Sequence, residues 1–155
     1  LLAAVVCAAP GEVLGVPVQQ LRQWDAIGSL NFEDKPLGDI GAELLGLMLP
    51  AATSVRELRL GYNNLAAGGA AAIAEGLKGN STLLVLDLAA NALCGLNQFG
   101  EGTYTTEGIT KLCEGLKGSA VTSLNLYLNH IGAEGASALA AVLKETRIST
   151  LKCAA

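Results

Sequence analysis

Leu58-Arg59-Leu60 and Leu86-Asp87-Leu88 are one short motif repeated after 28 residues, and Leu30-Asn31-Phe32 stands 28 residues before the first of them. Leu124-Asn125-Leu126 follows Leu86 after 38 residues, and Leu151-Lys152-Cys153 follows Leu124 after 27. A period in this range means stacked supersecondary units, each too small to bury its own apolar face, so the chain is expected to build its core between repeats.

Each unit has the same internal order. Val55 to Asn63 is restated as Leu83 to Asn91 and again as Val121 to Asn129. The alternating pairs Leu58/Leu60, Leu86/Leu88 and Leu124/Leu126 predict short strands with one buried face. An Asn follows five residues after the first Leu of each pair, at Asn63, Asn91 and Asn129. A buried side-chain amide at that place can bond the turning backbone on both sides, which no apolar residue can do. Helices are predicted over Gly69–Leu77, Glu107–Leu116 and Glu134–Leu143. In these, Ile73/Leu77, Leu112/Leu116 and Leu139/Leu143 form one apolar stripe per helix at i, i+4 spacing. Ala70, Ala71, Ala72, Ala136 and Ala138 are small enough to let such helices pack closely.

The segment Leu124–Lys144, with Asn129-His130-Ile131-Gly132-Ala133-Glu134-Gly135-Ala136 at its centre, resembles the ribonuclease-inhibitor type of leucine-rich repeat. The same repeat type occurs in NLR-type immune receptors and Ran GTPase-activating proteins, and the Ala- and Gly-rich dialect is similar to repeat proteins of algal protists. The resemblance covers residues 26–155. It implies an α/β solenoid of five to six repeats, with a curved parallel β-sheet on the concave side and α-helices on the convex side. It is nearly silent on function, because such a scaffold hosts unrelated binding roles.

Lys35 stands where the later repeats have Asn, so the first clear unit departs from the pattern. Val5-Val6-Cys7 resembles Leu151-Lys152-Cys153, with Pro10 in the Asn place, and reads as a degenerate strand followed by a short helix from Pro17 to Gln23. Residues 1–29 are thus expected to be a degenerate repeat or cap, and residues 30–155 the clear repeats of a single domain. The alternative for Leu1–Pro10, the tail of a secretory signal peptide, lacks a positively charged start. Ten apolar residues are too few to span a bilayer. The absent initiator methionine and the stop just after a strand read as a fragment of a longer chain.

With 51% hydrophobic and only 15% charged residues, the composition suits buried parallel strands under a helix layer. The net charge of −4 comes without a Lys/Arg cluster, the largest grouping being Arg56 and Arg59 around Glu57. No counterion-release term favours nucleic acid, and nothing favours anionic lipid. Of the four cysteines, Cys7 and Cys153 occupy strand positions that Leu fills elsewhere, and Cys113 lies beside Leu112 in the helical stretch. They read as small buried hydrophobes in an intracellular, reducing compartment. With no Cys-x-x-Cys spacing, no zinc site or other cofactor is implied.

The period breaks once. About 11 extra residues fall between Gly95 and Thr106, against the spacing of the neighbouring repeats. This insertion carries Phe99, Tyr104 and the glycines Gly100 and Gly102. It is either a tolerated excursion, its aromatics folded back on the helices, or a recognition loop. Gly100-Glu101-Gly102 lacks the Lys of a phosphate loop, and Thr106-Glu107 reads as a helix cap. His130, the single histidine, is expected to be solvated, and neither Cys94 nor the scattered carboxylates Asp34, Asp39, Glu101 and Glu107 are placed beside it by the pattern. No catalytic constellation emerges.

What remains is a surface. The residues between the strand leucines form rows: Asn31, Arg59, Asp87, Asn125, Lys152, and beside them Ser29, Glu57, Val85, Ser123, Thr150. A third row holds Glu33, Gly61, Ala89, Tyr127 and Ala154. At about 4.8 Å per strand the rows are roughly 20–25 Å long. Arg59 and Asp87 are expected to pair across strands. This leaves Tyr62, Asn125, Tyr127 and Leu128, with Phe99 and Tyr104 of the insertion, as candidate partner contacts; Trp24 is assigned to the amino-terminal cap. The expectation is a non-enzymatic protein-interaction module. The alternatives are an accessory subunit built into a larger assembly and, by resemblance alone, a GTPase regulator.

Overall fold

The structure, a computed structural model, describes residues 28–153 and two short strands before them, β1 (Glu12–Val13) and β2 (Val16–Pro17). The repeats supply five further strands: β3 (Ser29–Asn31), β4 (Glu57–Arg59), β5 (Val85–Asp87), β6 (Ser123–Asn125) and β7 (Thr150–Lys152). They form one parallel sheet in chain order. Four helices alternate with them: α1 (Gly38–Met48), α2 (Ala66–Lys78), α3 (Glu107–Leu116) and α4 (Gly132–Leu143). This is the expected α/β leucine-rich-repeat solenoid.

The register is the one the period dictates. Leu30, Leu58, Leu86, Leu124 and Leu151 are aligned across the sheet. The first four are fully buried, as are Phe32, Leu60, Leu88 and Leu126 two residues on. These leucines meet Ile73, Leu77, Ile109, Leu112 and Leu116 from the helices in one continuous core.

The three repeat asparagines hold the turns after the strands. Asn91 donates through Nδ2 to Leu60 O at 2.7 Å in the preceding repeat and to Ala89 O at 3.1 Å in its own. Its Oδ1 accepts Asn63 N–H at 3.0 Å and Leu65 N–H at 3.4 Å, where α2 is about to start. Asn63 does the same for Lys35 and Leu37, and Asn129 for Asn91 and Leu93. All three are buried, and each exchanges its bonds to water for fixed ones to groups the turn would otherwise orphan. The residue in the Asn place of the first unit, Lys35, joins through its backbone only.

Four expectations need correction. Helix α1 was not anticipated: its inward residues Ala42, Leu44 and Leu45, with Leu49 in the turn just after it, are interrupted by Leu47 and Met48, so the stripe is blurred. Pro17 lies in β2, paired with Glu12 of β1, so no helix starts there; the remainder of that helix, the Val5–Cys7 strand and Trp24 lie outside the described residues. At the start of α3 it is Thr105, not Thr106, whose hydroxyl accepts Glu107 N–H, at 3.2 Å. Cys153 is exposed, because no further described element packs on β7, whereas Cys94 and Cys113 are buried.

The helix layer is joined by glycines. A Cβ on Gly46 of α1 would overlap the carbonyl of Ala72 in α2, one on Gly76 of α2 the carbonyl of Gly46, and one on Gly115 of α3 the backbone of Ala74. Backbone-to-backbone approach of this kind lets neighbouring helices pack closely, although their axes, about 8–10 Å apart in packed helices, remain wider than the strands, about 4.8 Å apart.

Candidate functional site

The strand face and the turns that follow it carry most of the exposed aromatic surface. On the strands, the polar rows are bonded among themselves. Glu57 accepts Ser29 Oγ–H at 2.8 Å and Arg59 Nε–H at 2.8 Å. The Ser29 bond first, and the Arg59 bond next, hold the Glu57 carboxyl below its ordinary value, and Glu57 in turn raises the Arg59 guanidinium. The expected Arg59–Asp87 pair does not form. Glu57 lies on the same strand and face as Arg59, while Asp87 accepts Asn125 Nδ2–H at 3.0 Å and Ala89 N–H at 2.9 Å. Asn125 is thus engaged at home, its Oδ1 taking Tyr127 N–H at 3.1 Å.

Beyond the strands the chain turns through left-handed backbone at fixed repeat positions. Asp34, Tyr62, Ala90 and Leu128 are equivalent and have φ between +51° and +59°; Asn64, Ala92 and His130 are the next equivalent set, at +49° to +56°. Non-glycine residues adopt this conformation at a cost that the surrounding structure must over-determine. Here main-chain bonds between repeats do so: Asp34 N–H to Gly61 O and Tyr62 N–H to Ala89 O, both 2.9 Å, and Ala90 N–H to Tyr127 O, 2.8 Å. Side chains in these rows project from a backbone fixed on both sides. Tyr62 and Tyr127 are 42% and 44% exposed.

The insertion is a closed turn rather than a slack loop. Leu96 and Gly102 form an antiparallel bridge. Inside it, Asn97 Oδ1 accepts Phe99 N–H at 2.9 Å and Glu101 N–H at 3.0 Å, and Asn97 Nδ2 donates to Glu101 Oε2 at 2.9 Å. Gly95 and Gly102, at φ +78° and +129°, bring the two sides so close that a Cβ on either would overlap the opposite carbonyl.

The two aromatics of the insertion separate. Tyr104 folds back: its hydroxyl donates to Ile131 O at 2.6 Å, seating the insertion on the next repeat. Phe99 stays 78% exposed. Together with Tyr62, Asp34 and Asn97 it surrounds a depression of about 230 Å³ that Ala90 and Ala92 also line. Concave-edge Tyr62 and insertion Phe99 therefore line one site, while Tyr127 and half-buried Leu128 lie farther along the edge. Ile40 and Leu47, also exposed, sit apart from it on α1.

A larger groove, about 470 Å³, lies at the α4–β7 end and includes Tyr104, Ile131, Leu139, Leu143, Leu151 and Cys153. His130 lines it too. Contrary to expectation His130 is half-buried, because the insertion covers it at Gly100, and its Nε2 is enclosed with no hydrogen-bond partner among the described residues. A fourth buried amide, Asn80, was not anticipated from the repeat pattern. Its Nδ2 donates to Leu49 O at 2.7 Å and its Oδ1 accepts Leu83 N–H at 2.8 Å, fixing the turn after α2. It occurs in one repeat only, so no period announces it.

Among the described residues no group of His, Cys, Asp and Glu could hold a metal ion, and no helix is long and apolar enough to cross a membrane. A leucine-rich-repeat family model matches residues 51–74, which run from the end of α1's turn through β4 into α2, and residues 120–140, spanning β6 and most of α4. A search of curated proteins returns no match. These two matches fall on equivalent strand–turn–helix units of the parallel-stranded sheet, and the fold is that of an α/β leucine-rich-repeat solenoid.

Proposed function

We propose that this chain is a non-enzymatic protein-interaction module of the ribonuclease-inhibitor repeat type, and that it recognises its partner with the edge formed by the concave turns and the insertion. Leucine-rich-repeat domains commonly bind proteins. The observation that carries the choice of surface is the shared depression of Tyr62 and Phe99, two large exposed rings, the first on backbone held by a repeat-to-repeat bond and the second on backbone held within the insertion turn. Exposed aromatics that are already fixed lose little entropy on binding and anchor interfaces. The strand rows are less suited to the anchoring role, since Glu57, Arg59, Asp87 and Asn125 are bonded to one another and exposed ion pairs contribute little.

The test has two steps. A photo-crosslinking residue is placed at Tyr127 or Gln98 on the edge, and at Glu75 on the helix face as a comparison, and the crosslinked protein from native extract is identified. Affinity for that protein, purified, is then measured with Leu96–Thr105 replaced by the short turn of the neighbouring repeats, folding being checked by circular dichroism. Crosslinks from the edge and weaker binding of the folded deletion support the reading. Crosslinks from Glu75 alone, with affinity unchanged by the deletion, overturn it.

A second reading, an accessory subunit of a larger assembly, is favoured by the apolar groove at the α4–β7 end. It predicts that the isolated chain self-associates; a stable monomer by light scattering argues against it.

A further inference from the structure

We infer that the depression between Tyr62 and Phe99 is a receptor for an arginine side chain carried by the partner, an inference that rests on the edge being the recognition surface. Three features of the site select this group. The Asp34 carboxylate lines the depression, is exposed, and has no hydrogen bond or ion pair to any described side chain. No Lys or Arg is among the lining residues. The rings of Tyr62 and Phe99 line it and are exposed, and the less exposed part of its lining is two small residues, Ala90 and Ala92.

A guanidinium satisfies all three at once. Its plane stacks on aromatic faces, and its fork of N–H donors meets a carboxylate with two parallel bonds. The exposed amides of Asn64 and Gln98, also lining the depression, offer carbonyl oxygens to the remaining donors. Asn97 does not compete for the ligand, because both ends of its amide are committed to the insertion turn. An ammonium has neither the plane nor the fork, so lysine is held less well. An acidic side chain would face Asp34 with no compensating cation.

Preorganisation strengthens the case. Asp34 and Tyr62 occupy the same place in successive repeats, in the turns that follow strands about 4.8 Å apart. Both are held at left-handed φ, +56° and +59°, by main-chain bonds to the next repeat. Carboxylate and ring thus lie side by side before any ligand arrives, and the volume of about 230 Å³ is on the scale of one side chain rather than a helix.

The experiment uses the full chain and three short peptides, acetyl-Gly-Arg-Gly-amide and its lysine and citrulline counterparts, followed by NMR of the Tyr62 and Phe99 rings and the Ala90 and Ala92 methyls. Citrulline keeps the shape of arginine without its charge. The arginine peptide is expected to shift these signals saturably, the lysine peptide more weakly, and the citrulline peptide not at all. Asp34→Asn, which tolerates the same left-handed backbone, is expected to weaken arginine binding about threefold, the scale of one exposed ion pair. Equal shifts from citrulline, no shift from arginine, or an Asp34→Asn variant that binds as well as the parent each overturn the inference. Edge crosslinks to a partner in the presence of such a result would leave the recognition surface standing and remove only its arginine specificity.

Discussion

The side-chain carbonyl of Asn91 accepts the main-chain N–H of Asn63 at 3.0 Å, across 28 residues of sequence and one step of the solenoid. The main-chain N–H of Asn91 in turn is taken by Asn129 Oδ1, also at 3.0 Å. The ladder is therefore directional: each amide closes the turn of the repeat before it, and its own backbone is closed by the one after.

Removing the middle rung should cost more than a surface substitution can. Asn91→Ala leaves Asn63 N–H and Leu65 N–H without their partner inside a buried turn, while Leu60 O keeps only its bond from Asn63 Nδ2, and each buried orphan is worth about 1–3 kcal/mol. The expected loss in urea unfolding is at least about 2 kcal/mol. Thr110→Ala, at an exposed position on α3, is the comparison and should lose far less. A melt of Asn91→Ala indistinguishable from the parent would mean that water replaces the amide and that the ladder is incidental.

The glycines of the helix layer give a second prediction. In an exposed helix Gly→Ala stabilises by about 1 kcal/mol. At Gly46 and Gly115 the added methyl would meet the carbonyl of Ala72 and the backbone of Ala74. Overpacking against backbone costs about 1–3 kcal/mol, so the sign should reverse. Gly68→Ala on α2 meets only the Asp39 carboxylate and is expected to be near neutral. Equal, stabilising shifts at all three positions in thermal unfolding would show that the helices can separate freely.

Much of this is legible in the sequence, for a physical reason. Strand register, the buried leucines and the amide ladder are repeated, and a repeated constraint leaves a period in the sequence. Features that occur once leave none. Asn80 is a single amide in a single turn, and α1 has exposed Ile40 and Leu47 interrupting its stripe. Side-chain pairing was misread for a related reason. Arg59 had two carboxylates within reach, and alignment of strands says nothing about which rotamer wins. The position of His130 depended on where the insertion folds, and an insertion is by definition outside the period.

Cysteine chemistry offers a third test. Burial pushes the thiols of Cys94 and Cys113 up to about 11, so at neutral pH both are protonated and unreactive, whereas Cys153 is exposed. Brief alkylation of the native protein at pH 8, read by peptide mapping, should label Cys153 and spare the other two. The same shift has a sign for stability. A raised folded value means that the native state holds the proton more tightly than the unfolded chain, whose thiols ionise near the ordinary 9.0. This contribution is whole below pH 9 and is lost as pH rises from 9 towards 11. Replacing both buried cysteines by Ala should flatten that part of the stability–pH curve; an unchanged slope would assign it to other groups.

The last prediction concerns what keeps the insertion in place. Among the described residues Tyr104 makes the one side-chain hydrogen bond from the insertion to the next repeat, the 2.6 Å bond from its hydroxyl to Ile131 O. The ring rests against Gly132, where a Cβ would come within 2.9 Å of the hydroxyl. Tyr104→Phe keeps the ring and deletes the bond, so the global loss should be small, about 1 kcal/mol. Hydrogen exchange is the sharper readout. The amides of Phe99 and Glu101 are bonded to Asn97 within the turn and should stay protected if the turn survives as a unit. Thr105 N–H, bonded to Cys94 O at 2.9 Å where the insertion rejoins the repeat, should exchange faster. Faster exchange at Thr105 alone means that the insertion hinges as a rigid body on its stem, carrying Phe99 away from Tyr62. Faster exchange at all three would mean that the turn unravels, and unchanged exchange everywhere that the Tyr104 bond is not what seats it.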